Sequence, residues 1–110
     1  MFDIKADIQL TDRYRKQSIR GNTYRPLIFF GDGLIRSGLL KLAKKEYLEM
    51  NGQYRDRIIG IYFYDDDFAE KIYVGQEIIL AEGSKEIGYG RITEILGAST
   101  VKSTDQQFNE

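Results

Sequence analysis

The run Phe2-Asp3-Ile4-Lys5-Ala6-Asp7-Ile8-Gln9-Leu10 sets apolar side chains at every even position and polar ones at every odd position. A period of two sends the two sets to opposite faces of an extended chain, so this stretch predicts a β-strand with one face in a core. Further runs have the same character. Tyr24 to Phe30 is aromatic and branched and holds the only proline, Pro26, which calls for an edge or a bulge where a missing amide does no harm. Gly31-Asp32-Gly33 supplies a turn, and Leu34 to Leu42 reads as a third strand, although Leu39 to Lys45 would also suit a helical start. Ile58 to Tyr64 is a dense apolar run that stops at Asp65-Asp66-Asp67, as a buried strand does on leaving the core. Glu77 to Ala81 and Lys85 to Leu96 form a hairpin across Glu82-Gly83-Ser84, whose glycine allows a conformation that bulky residues resist.

Short strands separated by glycine turns predict an all-β barrel or sandwich. Lys44 to Arg57 mixes charge with Tyr47, Leu48, Met50 and Tyr54 and reads as a long connection or insertion. Residues 1–97 are expected to form one domain and 98–110 a flexible tail, because the last stretch lacks apolar periodicity. At 110 residues, 42% hydrophobic and 30% charged, the composition suits one small domain with a true core. No apolar run nears the roughly 20 residues that cross a bilayer, and Met1 to Lys5 shows no secretory pattern, so a cytoplasmic location is expected.

The absence of His and Cys removes thiol nucleophiles, disulfides, Cys/His zinc sites and the commonest general base near neutral pH. The chain is therefore expected to be non-enzymatic and to carry no cofactor. Asp65-Asp66-Asp67 with Glu70 is the one dense carboxylate cluster, but its spacing does not match a calcium loop, and capping of a turn is the simpler reading. Tyr62, Tyr64 and Tyr73 are expected to be amphipathic barrel residues with hydroxyls in water.

Charge is uneven. Residues 1–57 hold twelve Lys/Arg against seven Asp/Glu, a net of +5, whereas 58–110 hold four against ten, a net of −6. The strongest basic element runs from Arg13 through Arg15, Lys16 and Arg20 to Arg25, with Tyr14 and Tyr24 interleaved, a pattern found in some RNA-contacting loops.

Gly75 to Leu96 resembles the closing hairpin of the third domain of elongation factor Tu and related translational GTPases. That family reads Phe-Ala-Ile-Arg-Glu-Gly-Gly-Arg-Thr-Val-Gly-Ala-Gly, and Glu82, Gly83, Gly88 and Gly90 fall in register with it without a gap. Tyr24-Arg25-Pro26 is similar to the family's Tyr-Arg-Pro-Gln-Phe strand, and Lys16 to Ile19 lies where the family has a basic loop. The resemblance spans about residues 2–97 and implies a six-stranded closed antiparallel Greek-key barrel. Alternate glycines such as Gly88 and Gly90 then permit sharp coiling and close passage of a neighbouring strand. The chain has no Gly-x-x-x-x-Gly-Lys-[Ser/Thr] loop, so GTPase activity is not implied.

In the intact factors this barrel meets the T stem of aminoacyl-tRNA and protein partners, which by resemblance points to Glu82 and Gly83. Leu27 and Ala81 stand where the family has glutamine and arginine, removing an amide and a phosphate-capable cation. The expectation is a freestanding, non-catalytic interaction module that binds a protein partner. The alternative is tRNA-like RNA bound through Arg13, Arg15, Lys16, Arg20 and Arg25.

Overall fold

In the computed structural model the described residues, 1–98, form eight strands and one helix. The strands are β1 (Phe2–Leu10), β2 (Ile19–Arg20), β3 (Leu27–Phe29), β4 (Ile35–Lys41), β5 (Tyr47–Leu48), β6 (Gln53–Ile61), β7 (Glu77–Glu82) and β8 (Lys85–Ala98), and the helix is α1 (Asp66–Lys71). Six strands close an antiparallel barrel in the order β1-β6-β4-β3-β7-β8, with β8 pairing back onto β1. β3, β4 and β6 are successive neighbours, and β1, which precedes them, lies against β6, a Greek-key connection.

The period-two reading of β1 holds along its length. Ile4, Ala6, Ile8 and Leu10 are buried, while Lys5, Asp7 and Gln9 are partly exposed. Asp3 is the exception: it is buried on the polar side of the strand because Lys41 Nζ donates to both of its carboxylate oxygens, at 3.0 and 3.1 Å.

β8 is long because it coils. Its pairing with β1 slips between Asp3 and Ile4 and again between Lys5 and Ala6, and its pairing with β7 slips between Leu80 and Ala81. Each slip gives β8 one extra residue, which bends the strand around the barrel. Gly88 and Gly90 face the interior at this bend. A Cβ on Gly88 would stand 2.7 Å from the Gln9 carbonyl oxygen, and one on Gly90 would collide with that of Asp7, so only glycine lets β1 and β8 run this close.

Both ends of the barrel are plugged by apolar side chains. At one end Phe68 of α1 is fully buried and meets Phe2 and Phe30 edge to face, with ring centroids 5.5 and 5.2 Å apart. At the other end β2 pairs with β5, seating Ile19 and Leu48 over the core.

Several sequence-based boundaries change. β3 begins only at Leu27, with Pro26 just ahead of the ladder, where its missing amide is harmless. The strand expected over Leu34 to Leu42 runs from Ile35 to Lys41, with no helix start. The expected connection from Lys44 to Arg57 contains β5 and the first half of β6. There, two residues, Arg55 and Asp56, oppose the single Asp7 of β1. Asp56 has a φ of +52°, and this bulge breaks the apolar alternation that would have marked a strand. The helix α1 was not expected from the sequence. Asp65 is its N-cap, accepting the Phe68 amide at 2.8 Å, an arrangement worth about 1 kcal/mol. Ala98, placed in the expected tail, ends β8 opposite Phe2, and residues 99–110 lie outside the described residues.

Candidate functional site

The basic segment and the β7–β8 hairpin lie at the same end of the barrel and are fastened together. Arg15 Nη1 donates to Glu82 Oε2 at 2.9 Å, and the Tyr24 hydroxyl donates to the same oxygen at 2.6 Å. The Arg15 guanidinium also stacks on the Tyr24 ring, 4.9 Å from its centroid, and its Nε donates to the Gln17 carbonyl at 2.8 Å. Burial, then the hydrogen bond to Glu82, pushes the Tyr24 hydroxyl far above the ordinary tyrosine range, so it keeps its proton. Two points of the segment between β1 and β3 are thereby locked to the remote β7 by one carboxylate. Gly83 follows at the exposed turn with φ of +61°, and Ser84 completes a two-residue loop that glycine at its first position favours.

The remaining cations do not join this cluster. Arg20 lies over the Tyr47 ring at 4.5 Å, in the β2–β5 pair. Arg25, in the segment ahead of β3, lies over the ring of Tyr62, just past the end of β6, at 5.3 Å. Arg13 stacks on Tyr14 at 5.1 Å, and the exposed Lys16 sits 3.8 Å from Asp12. The fold thus brings Arg15 and Glu82 into direct contact, makes Arg15 part of an internal network, and points Arg20 and Arg25 at different surfaces.

The acidic run divides its work. Asp65 caps α1 and Asp67 pairs with Lys71 one turn on, at 3.0 Å. Among the described residues no three carboxylates converge in a way that could hold a metal ion. Tyr62, Tyr64 and Tyr73 are not barrel-strand residues, because β6 leaves the wall at Ile61 and Tyr73 follows α1. They lie in connecting segments, and Tyr64 packs on Phe2 with centroids 5.6 Å apart. No helix among the described residues is long and apolar enough to cross a membrane.

A different surface is built by strand register. Phe29 of β3 stands opposite Ile35 of β4 on one side and Ile79 of β7 on the other, and Ile79 stands opposite Tyr89 of β8. Directly opposed residues share a face, so these four side chains form one apolar row across the outer wall of four adjacent strands. Ile35 and Ile79 are each 42% exposed and Tyr89 is 55% exposed. Glu77 and Arg91, paired at 3.3 Å, lie beside the row on β7 and β8.

Sequence reasoning assigned these residues to strands but not to a surface. The signal was present: Leu27 to Phe30 and Ile78 to Leu80 are uninterrupted apolar runs, where a strand with one wet face should alternate.

Comparison with known proteins gives no identity: no protein-family model matches the chain, and no curated protein is significantly similar to it.

Proposed function

We propose that the chain is a non-catalytic interaction module that docks a protein partner on the outer wall of its barrel, in the manner of the third domain of translation elongation factors. The observation that carries this reading is the apolar row Ile35, Phe29, Ile79 and Tyr89. A wall facing only water has no use for four aligned apolar side chains, and a contiguous exposed patch is a mark of association. Covering the exposed parts of Ile35, Ile79 and Tyr89 would contribute about 1 kcal/mol each. That is sufficient for the centre of a modest interface when polar contacts surround it.

RNA binding is the second reading, favoured by the exposure of Arg13, Lys16 and Arg20 at one end of the barrel. It draws less support, because Arg15 is held by Glu82 and Arg25 faces another side.

The test is saturable capture of a protein from native lysate by the wild-type chain and by Ile79→Lys, each with and without ribonuclease. The expected result is a ribonuclease-resistant partner retained by the wild type and lost by the variant. Equal retention by both, or recovery of RNA alone, would refute the reading.

A further inference from the structure

The apolar row ends in a groove. Where β6, β1, β8 and β7 run side by side, the outer wall holds a concavity of about 510 Å³, a size suited to ligand sites. Asp7 and Gln9 of β1 form its middle, Gln53 and Arg55 of β6 stand on one side, and Tyr89 and Arg91 of β8 on the other. Tyr89 therefore belongs both to the groove and to the row. The bulge at Arg55 and Asp56 shapes it: Asp7 Oδ1 accepts the Asp56 amide at 2.9 Å, and Asp56 Oδ1 accepts the Thr93 hydroxyl at 2.9 Å. Bulges of this kind re-aim side chains beside binding sites.

The charges of the groove are unevenly satisfied. Arg91 Nη2 meets Glu77 Oε1 at 3.3 Å, in a pair exposed enough to exchange partners. Among the described residues the Arg55 guanidinium has no hydrogen-bond or ion-pair partner. Arg55 on β6, with no partner among the described residues, and Arg91 on β8, loosely held, flank Asp7 of β1, and a free guanidinium is suited to a single carboxylate, which it can bind through two parallel hydrogen bonds. A chain of phosphates is a poor fit, since Asp7 and Glu77 line the same groove and would repel a polyanion.

We propose that this groove binds an extended segment of the partner protein and selects an acidic residue in it. Arg55 and Arg91 hold the Asp or Glu side chain, and the neighbouring apolar side chains of the segment lie on Tyr89 and Ile79. The inference rests on the docking reading above and specifies the chemistry of the partner.

The experiment selects a library of random short peptides, displayed on phage, against the intact immobilised chain. The strongest binder is then synthesised with a fluorescein label and titrated. Selected peptides are expected to combine apolar residues with Asp or Glu. Arg55→Gln should weaken the labelled peptide about fivefold to tenfold, as loss of a charge-assisted contact does, and the loss should shrink at about 0.5 M salt. Arg55→Lys should restore part of the affinity, because it keeps the charge but not the fork. Thermal melts of both variants guard against an unfolding artefact.

Peptides without acidic bias, or unchanged affinity in Arg55→Gln, would overturn the groove assignment and leave the docking reading standing. Full binding by Ile79→Lys would remove the docking reading and the groove assignment together. Displacement of the labelled peptide by a tRNA stem-loop acting at Arg55 would overturn the choice of a peptide ligand.

Discussion

Replacing Gly90 with alanine places a methyl group on the inner side of β8, where β1 passes. A Cβ there overlaps the Asp7 carbonyl oxygen and comes within 3.0 Å of Ile8 Cγ2. The first obstacle is backbone and cannot rotate away, so the two strands must part or β8 must uncoil. Such overpacking costs about 1–3 kcal/mol. Against it stands the smaller freedom of alanine in the unfolded chain, which returns about 0.4–1 kcal/mol. The balance is a net loss of about 1–2 kcal/mol, or a drop of about 4–15 °C in Tm for a domain of this size. Urea and thermal melts followed by circular dichroism measure it, with Ser84→Ala at the exposed hairpin turn as a comparison expected to stay close to wild type. If Gly90→Ala proves as stable as the wild type or more so, β1 and β8 do not approach as described, and the argument for barrel closure through glycine fails.

Phe68→Ala should remove about 3–5 kcal/mol, because the ring is fully buried and seals one end of the barrel against Phe2 and Phe30; loss of near-ultraviolet aromatic signal and a lowered urea midpoint would register it. Lys41→Met alone should cost about 3–5 kcal/mol by leaving Asp3 buried without its cation, whereas Lys41→Met with Asp3→Leu should recover most of that loss; equal instability of the single and double variants in urea melts would contradict this. Tyr24 has a proton held more tightly in the folded state than in the unfolded one, so its stabilisation is full below the ordinary tyrosine value of about 10 and is lost as pH rises beyond it. Tyr24→Phe should therefore flatten the alkaline fall in stability measured by denaturant titration at a series of pH values, while lowering stability at neutral pH through loss of the bond to Glu82. Glu46 behaves oppositely. Its hydrogen bond to Arg57 holds its carboxyl below the usual range, so this contribution is present above the unfolded carboxyl value of about 4.3 and fades as pH falls through the lower folded one. Glu46→Gln should reduce the acid limb of the same titration.

The strands most legible in the sequence are those whose two faces see different surroundings. β1 could be read because its inward positions are all apolar and its other side is mostly polar. β8 could be read from its glycine-bearing hairpin turn with β7, and Gly88 and Gly90 allow the close passage of a neighbouring strand expected of them. The first half of β6 was hidden because Asp56 takes a left-handed conformation inside the strand, and a bulge shifts the face of every residue beyond it. The helix was hidden by its six-residue length, which shows less than two turns of apolar periodicity and only one buried residue, Phe68.

For the site, local composition drew attention to Arg13 through Arg25. Composition could not show that Glu82, remote in sequence, occupies Arg15 and Tyr24. Nor could it align Ile35, Phe29, Ile79 and Tyr89, since their adjacency depends on the register of four strands.

The most direct measurement of the docking claim is residue-resolved amide hydrogen exchange on the chain, alone and saturated with its captured partner. Slowed exchange centred on β3, β7 and the Tyr89 region of β8 is the expected footprint. Protection confined to residues 11–25, with those strands unchanged, would contradict it.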